Sequence, residues 1–106
     1  MSVSCPAPLA GLRIVDLTTG LAGPYCSKLL VDAGAEVIKV EPPGGDPMRR
    51  WSAFGGPIPG GRDSAFFAFL NAGKQSLVAD PSTDPGRRRL LGLLEEADVL
   101  LEGLEP

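Results

Sequence analysis

The sequence predicts an α/β fold: a four-stranded, mainly parallel sheet with helices on both faces. Three observations predict it. Short apolar runs with β-branched centres alternate with longer amphipathic segments along the 106 residues. The clearest of those segments opens with proline, at Pro24, and closes with glycine, at Gly34. A small-residue turn, Gly20-Leu-Ala-Gly23, joins the first strand to that helix. The result is a βαβ unit whose first turn is a backbone-lined pocket, the usual nucleotide position in such sheets.

Residues 1–8 read as an untethered leader. Arg13–Leu17 is a buried strand, and Thr18–Gly23 form the turn. Pro24 stands at the first helical position, where its missing N–H costs nothing. Over Pro24–Ala33 the spacing puts Tyr25, Cys26, Leu29, Leu30 and Ala33 on the buried face, with Ser27, Lys28 and Asp32 outside. Gly34 is a left-handed cap. Glu36–Glu41 is the second strand, ended by Pro42-Pro43. From residue 42 to 62 six glycines and five prolines predict a surface loop, the least ordered internal segment. Asp63-Ser64 cap a short helix over 65–71, ended by Gly73. Gln75–Asp80 is the third strand. Asp84-Pro85 starts a helix over 86–97 that buries Leu90, Leu91, Leu94 and Ala97. Asp98–Glu102 is the fourth strand. Right-handed crossovers follow from the strand–helix alternation.

Charge and composition exclude several classes. A net charge of −3 and one basic cluster, Arg87-Arg88-Arg89, argue against a nucleic-acid surface. That cluster is a solvated helix face or, alternatively, a phosphate contact. No apolar run approaches the ~20 residues that span a bilayer, and the first residues lack a signal-peptide pattern, so a soluble cytoplasmic protein is expected. Cys5 and Cys26 lie in unrelated contexts and histidine is absent. Free thiols are therefore expected, with no metal site and no imidazole chemistry.

Several residues could carry function. Gly20–Gly23 either lets a ligand approach the backbone at a helix N-terminus or needs glycine for its dihedrals alone. The spacing is not that of a complete dinucleotide fingerprint. Glu41 ends its strand about 20 residues beyond the glycines, where an acid can hold a ribose; the alternative is a solvated strand terminus. Asp16 reads as structural, accepting hydrogen bonds from the turn or capping the next helix, because no lysine or second carboxylate is placed by sequence to tune it. Asp80-Pro81 is a turn former or a nucleotide contact. Asp46–Trp51 pins a phosphate, packs under a neighbouring subunit, or is held by a Trp51 anchor. Phe66, Phe67 and Phe69 are core or interface packing.

The runs Pro8–Gly11, Asp16–Thr18, Leu21–Tyr25, Gly34–Glu41, Gly44–Asp46, Arg50-Trp51, Ser64–Lys74, Asp84–Gly86 and Ala97–Val99 together resemble the class III CoA-transferase family. Formyl-CoA transferases, carnitine CoA-transferases and α-methylacyl-CoA racemases belong to it. The resemblance implies that residues 1–106 are an N-terminal, Rossmann-like, coenzyme A-binding part. It implies CoA contacts at Leu21, Ala22 and Gly23 in the first turn and at Ala79 and Asp80 near the adenosine. It also implies a homodimer of interlocked chains, or association with the rest of the enzyme. Transferases of the family work through an aspartate that becomes an acyl anhydride and then a thioester. That aspartate is expected beyond Pro106, so no catalytic residue is assigned here and the chain alone is expected to be inactive. Three departures remove polar groups that could hold CoA: Pro42 replaces an arginine, Gly73-Lys74-Gln75 replaces Asn-Lys-Arg, and Gly103-Leu104 replaces Asn-Phe or Asn-Tyr. The alternative function is a non-catalytic module binding another nucleotide or a protein partner.

Overall fold

The computed structural model describes residues 7–52, 55–56, 58 and 60–103. Most of the expected leader, Cys5, Leu104 and part of the 42–62 loop lie outside the described residues. The strands are β1 (Arg13–Asp16), β2 (Glu36–Glu41), β3 (Gln75–Val78) and β4 (Val99–Leu101). The helices are α1 (Ala22–Asp32), α2 (Ala65–Asn71) and α3 (Asp84–Glu95). All neighbouring strands run parallel, in the order β3-β2-β1-β4. The chain steps outward from β1 to β3 and then returns past both strands to β4. With right-handed crossovers, that reversal must carry α3 to the opposite face from α1 and α2.

Side-chain alternation divides the faces accordingly. Ile14 and Val37 pair across β1 and β2 and are buried with Ala35, against Leu30 and Val31 of α1. Val15 and Ile38 point the other way, toward Leu93 and Ala97 at the end of α3. Along the α1 face the layer turns from apolar to charged: Asp16, Lys39 and Glu41 continue the Ile14 and Val37 rows and are just as buried.

Caps explain the element ends. Gly34, at φ +105°, follows α1, and the Gly34 and Ala35 N–H groups donate to the Val31 and Leu30 carbonyls. This pair of bonds closes the last turn and needs a left-handed residue. Ser64 Oγ accepts from the Phe67 N–H at 3.0 Å to start α2.

Four expectations need correcting. The α1 helix begins at Ala22, so Pro24 is its third residue, still among the orphan N–H positions of the first turn. Its buried face is also different: Tyr25 and Leu29 are 51% and 52% exposed and Cys26 is exposed, whereas Pro24 and Ser27 are buried. The cause is Asp16 beneath the helix, whose carboxylate takes the Ser27 hydroxyl at 2.5 Å and turns that stripe inward. In α3 the cap is Thr83, whose Oγ1 accepts from the Gly86 N–H, and Leu91 is 59% exposed while Leu93 faces the sheet. Finally, the 42–62 stretch contains an element, a 3₁₀ turn at Pro47–Arg50 capped by Asp46. Met48 anchors it in a cluster with Phe67 and Leu70.

Two glycines separate packing from conformation. A Cβ on Gly23 would overlap the Thr18 side chain, although its φ is ordinary. Gly92, inside α3, faces open space. Gly23→Ala is expected to destabilise the protein by about 1–3 kcal/mol through overpacking. Gly92→Ala should stabilise it by about 0.5–1 kcal/mol through helix propensity. Urea unfolding of the two variants checks both signs.

Candidate functional site

Functional groups gather at the carboxyl ends of the strands, where open α/β sheets hold ligands. A groove of about 290 Å³ opens there. Leu17 and Thr19 after β1, Val40 and Glu41 of β2 with Pro42 beyond it, Ala79 and Pro81 after β3 and Leu90 of α3 form its walls. Ala79 is fixed by its N–H donating to the Glu41 carbonyl at 3.0 Å, one step beyond the ladder. Among the described residues, no group of three His, Cys, Asp or Glu side chains could hold a metal ion.

Beside the groove lies the β1–α1 turn. Its helix starts at Ala22 after Leu21, whose side chain offers no cap to the Ala22 and Gly23 N–H groups, while Pro24 has no N–H and the Tyr25 N–H donates to the Leu21 carbonyl. The turn is braced from beneath by buried charges. Asp16 Oδ1 accepts from the Thr18 N–H at 2.8 Å and from Thr18 Oγ1 at 2.5 Å, and Oδ2 accepts from Ser27. One carboxylate thereby grips both ends of the turn. Lys74 brings its ammonium 3.5 Å from Asp16 and donates to the Pro24 carbonyl at 3.0 Å and to Asn71 Oδ1 at 2.8 Å. Lys39 donates to the Thr18 carbonyl at 3.0 Å and pairs with Asp46 at 2.9 Å.

Glu41 behaves differently from either reading of its sequence position. It is buried, and Arg49 engages it through Nε and Nη2 while Ser76 Oγ donates to it at 3.2 Å. Its carboxylate is committed within the protein, not solvated. Hydrogen bonding to Glu41 raises the Arg49 pKa, against the opposing effect of burial, and Asp63 adds to the rise. Arg49 also stacks over the Phe67 ring at 4.2 Å.

The residues singled out by sequence fall into separate places. Ala79 lines the groove. Leu21 and Ala22 are exposed on the turn, and Gly23 packs on Thr18. Asp80 closes a turn by accepting from the Ser82 hydroxyl and N–H, which lower its pKa. Trp51, 46% exposed, is not an internal anchor; with Phe66 and Phe69 it forms an aromatic shelf. Of the three phenylalanines only Phe67 is buried. Lys39 escaped the sequence reading, as did the buried ion pairs that Lys74, Asp46 and Arg49 make. The available signal was Lys39 and Glu41 sharing the face of Val37 in a six-residue strand.

This geometry belongs to a known group. The sequence model of CoA-transferase family III matches residues 9–106. The chain belongs to CoA-transferase family III. It is 46% identical over 100 residues to the succinyl-CoA:mesaconate CoA-transferase of Haloarcula hispanica, covering 92% of this chain and 24% of that protein. It is 43% identical over 108 residues to a probable fatty acyl-CoA transferase of Mycobacterium tuberculosis, covering 100% of this chain and 27% of the relative. A crystal structure of a CAIB/BAIF family protein from Brucella suis superposes with a TM-score of 0.81 at 44% identity, covering 91% of this chain and 25% of that one. The chain thus spans about a quarter of the length of the curated relatives it matches.

Two outcomes test the brace in this family III chain. Asp16→Ala leaves two hydroxyls and a buried ammonium without their acceptor, and is expected to cost about 3–5 kcal/mol in chemical denaturation. The second outcome concerns pH. Burial is the main cause pushing Lys74 down to about 8, with Lys39 and Lys28 adding to the fall and Asp16 opposing it. Between that value and the ordinary lysine range the unfolded chain binds more protons than the folded one. Lys74 therefore makes stability rise with pH from about 8 toward 10.5. The wild-type minus Lys74→Met difference in unfolding free energy should show that rise, and should be flat below pH 7.

Proposed function

We propose that this chain is the CoA-binding N-terminal portion of an acyl-CoA transferase. The adenosine end of coenzyme A lies in the groove beside Ala79, and its diphosphate lies against the turn at Leu21, Ala22 and Gly23. The observation that carries the reading is the juxtaposition of an apolar groove and an uncapped helix start at the carboxyl ends of the strands. Asp80 contributes by shaping the turn after Ala79. Transferase chemistry, or the proton transfer of a 2-methylacyl-CoA racemase, requires groups supplied by further polypeptide, including the nucleophilic aspartate. The transferase names of the relatives favour the first.

Association is part of the proposal. Leu21, Tyr25 and Leu29 recur every four residues along α1 and are 50%, 51% and 52% exposed. Such a stripe supports a homodimer or docking with the rest of the enzyme. No helix among the described residues is long and apolar enough to cross a membrane, and a cytoplasmic site of action is proposed. The residues 42–62 serve as a surface loop fastened at Asp46 and Arg49.

Calorimetric titration with CoA, NAD and ATP tests the reading. Heat with CoA alone is the expected result, and no heat with any of the three defeats it. Thr19 is exposed at the groove wall, so Thr19→Trp should fill the groove without disturbing the core. A loss of CoA affinity of about tenfold, or roughly 1.4 kcal/mol, is expected.

A further inference from the structure

We propose that Lys74 is a positioning residue of the CoA site: its buried ammonium holds the β1–α1 turn from below and couples electrostatically to the anionic ligand above it. The inference rests on the CoA reading and extends it to a residue that touches no ligand.

The geometry is specific. The Lys74 side chain is 1% exposed, and its ammonium reaches fifty positions back to the Pro24 carbonyl in the first turn of α1. It also faces Asp16, the carboxylate that grips Thr18 and Ser27 at either end of the same turn. The other groups around it are Asn71 on α2, Lys39 on β2 and Lys28 on α1. Asp16 is the one acid facing it, and both remaining charged neighbours are cations. Lys39 and Lys28 are themselves paired with Asp46 and Asp32, so Lys74 and Asp16 are left as the charged pair directly beneath the turn.

A diphosphate on that turn adds a second anionic group to Asp16, which already faces Lys74. Nearby negative charge favours the protonated amine, so binding must draw Lys74 toward its charged form. Because burial already places its titration near 8, part of the population is neutral just above that pH. Ligand binding there takes up a proton, and by reciprocity affinity falls as pH rises. If the ligand shifts Lys74 by about one unit, affinity falls by about tenfold across the transition.

Calorimetry with CoA at pH 8.5, in two buffers of very different ionisation enthalpy, reads the proton directly. A buffer-dependent heat equal to uptake of a fraction of a proton, absent in Lys74→Met, is expected. Lys74→Arg keeps the charge and should bind CoA with a flat pH profile between 7 and 9.5. Should neither variant fold, wild-type affinity at pH 7 and 9.5 decides the matter, with a fall of about tenfold expected. CoA binding with buffer-independent heat and constant affinity overturns the role of Lys74 and leaves the CoA reading standing. No CoA binding at pH 7 overturns the CoA reading and the inference together.

Discussion

Everything at the carboxyl end of the sheet depends on a balance of buried charge. Asp16 with Lys74, Asp46 with Lys39, and Glu41 with Arg49 set three carboxylates against three cations beneath α1 and α2. An isolated charge there would cost several kcal/mol, and attraction offsets that cost only when the geometry satisfies the remaining lone pairs and protons. Hydroxyls and carbonyls supply most of it: Thr18, Ser27 and Ser76 donate to the acids, and the Thr18 and Pro24 carbonyls accept from the lysines, while Asp46 Oδ2 has only its ion pair with Lys39.

The pairs also decide where the chain goes. Asp16 sits on β1, and its partners come from α1 and the start of β3. Lys39 and Glu41 sit on β2, and their partners come from the loop that precedes α2. Arg49 then reaches Asp63, while the Ser64 hydroxyl donates to the Met48 carbonyl, so the two ends of the loop are tied together at its base. A glycine- and proline-rich stretch, with little propensity of its own, is given a fixed start and finish by ions that β2 presents. The same tether engages the Glu41 carboxylate through Arg49 and Ser76.

Legibility in the sequence followed the physics of each signal. Strand positions were legible because β-branched runs bounded by glycine and proline have few alternatives; β2 was read to the residue. Helix termini shifted by one or two positions wherever a polar cap and a proline compete, as at Thr83 and Asp84-Pro85. The rotation of α1 was not legible, because periodicity assumes that the apolar stripe faces inward. Here the inward stripe begins at Pro24 and Ser27, since the sheet offers the first turns of α1 a carboxylate and only its later turns the apolar Ile14 and Val37. Lys74 could not be assigned to Asp16 from spacing, as their contact closes across 58 positions and depends on β3 lying two strands away. Of the structure around the candidate site, the grip of Asp16 on the turn was legible, and the cations that balance it and its neighbours were not.

The departures from the family pattern acquire a physical meaning from their surroundings. Gly73 has φ +84°, and a Cβ there would press on Val31. A left-handed position of this kind is one that glycine or asparagine occupies at least cost, so glycine preserves the backbone that aims Lys74 inward. Pro42 stands in the groove wall with Leu17, Val40, Ala79 and Leu90, where it substitutes an apolar surface for a charge. Neither change touches the three buried ion pairs. The conformation of the β1–α1 turn is thus set by buried residues that these departures leave unchanged.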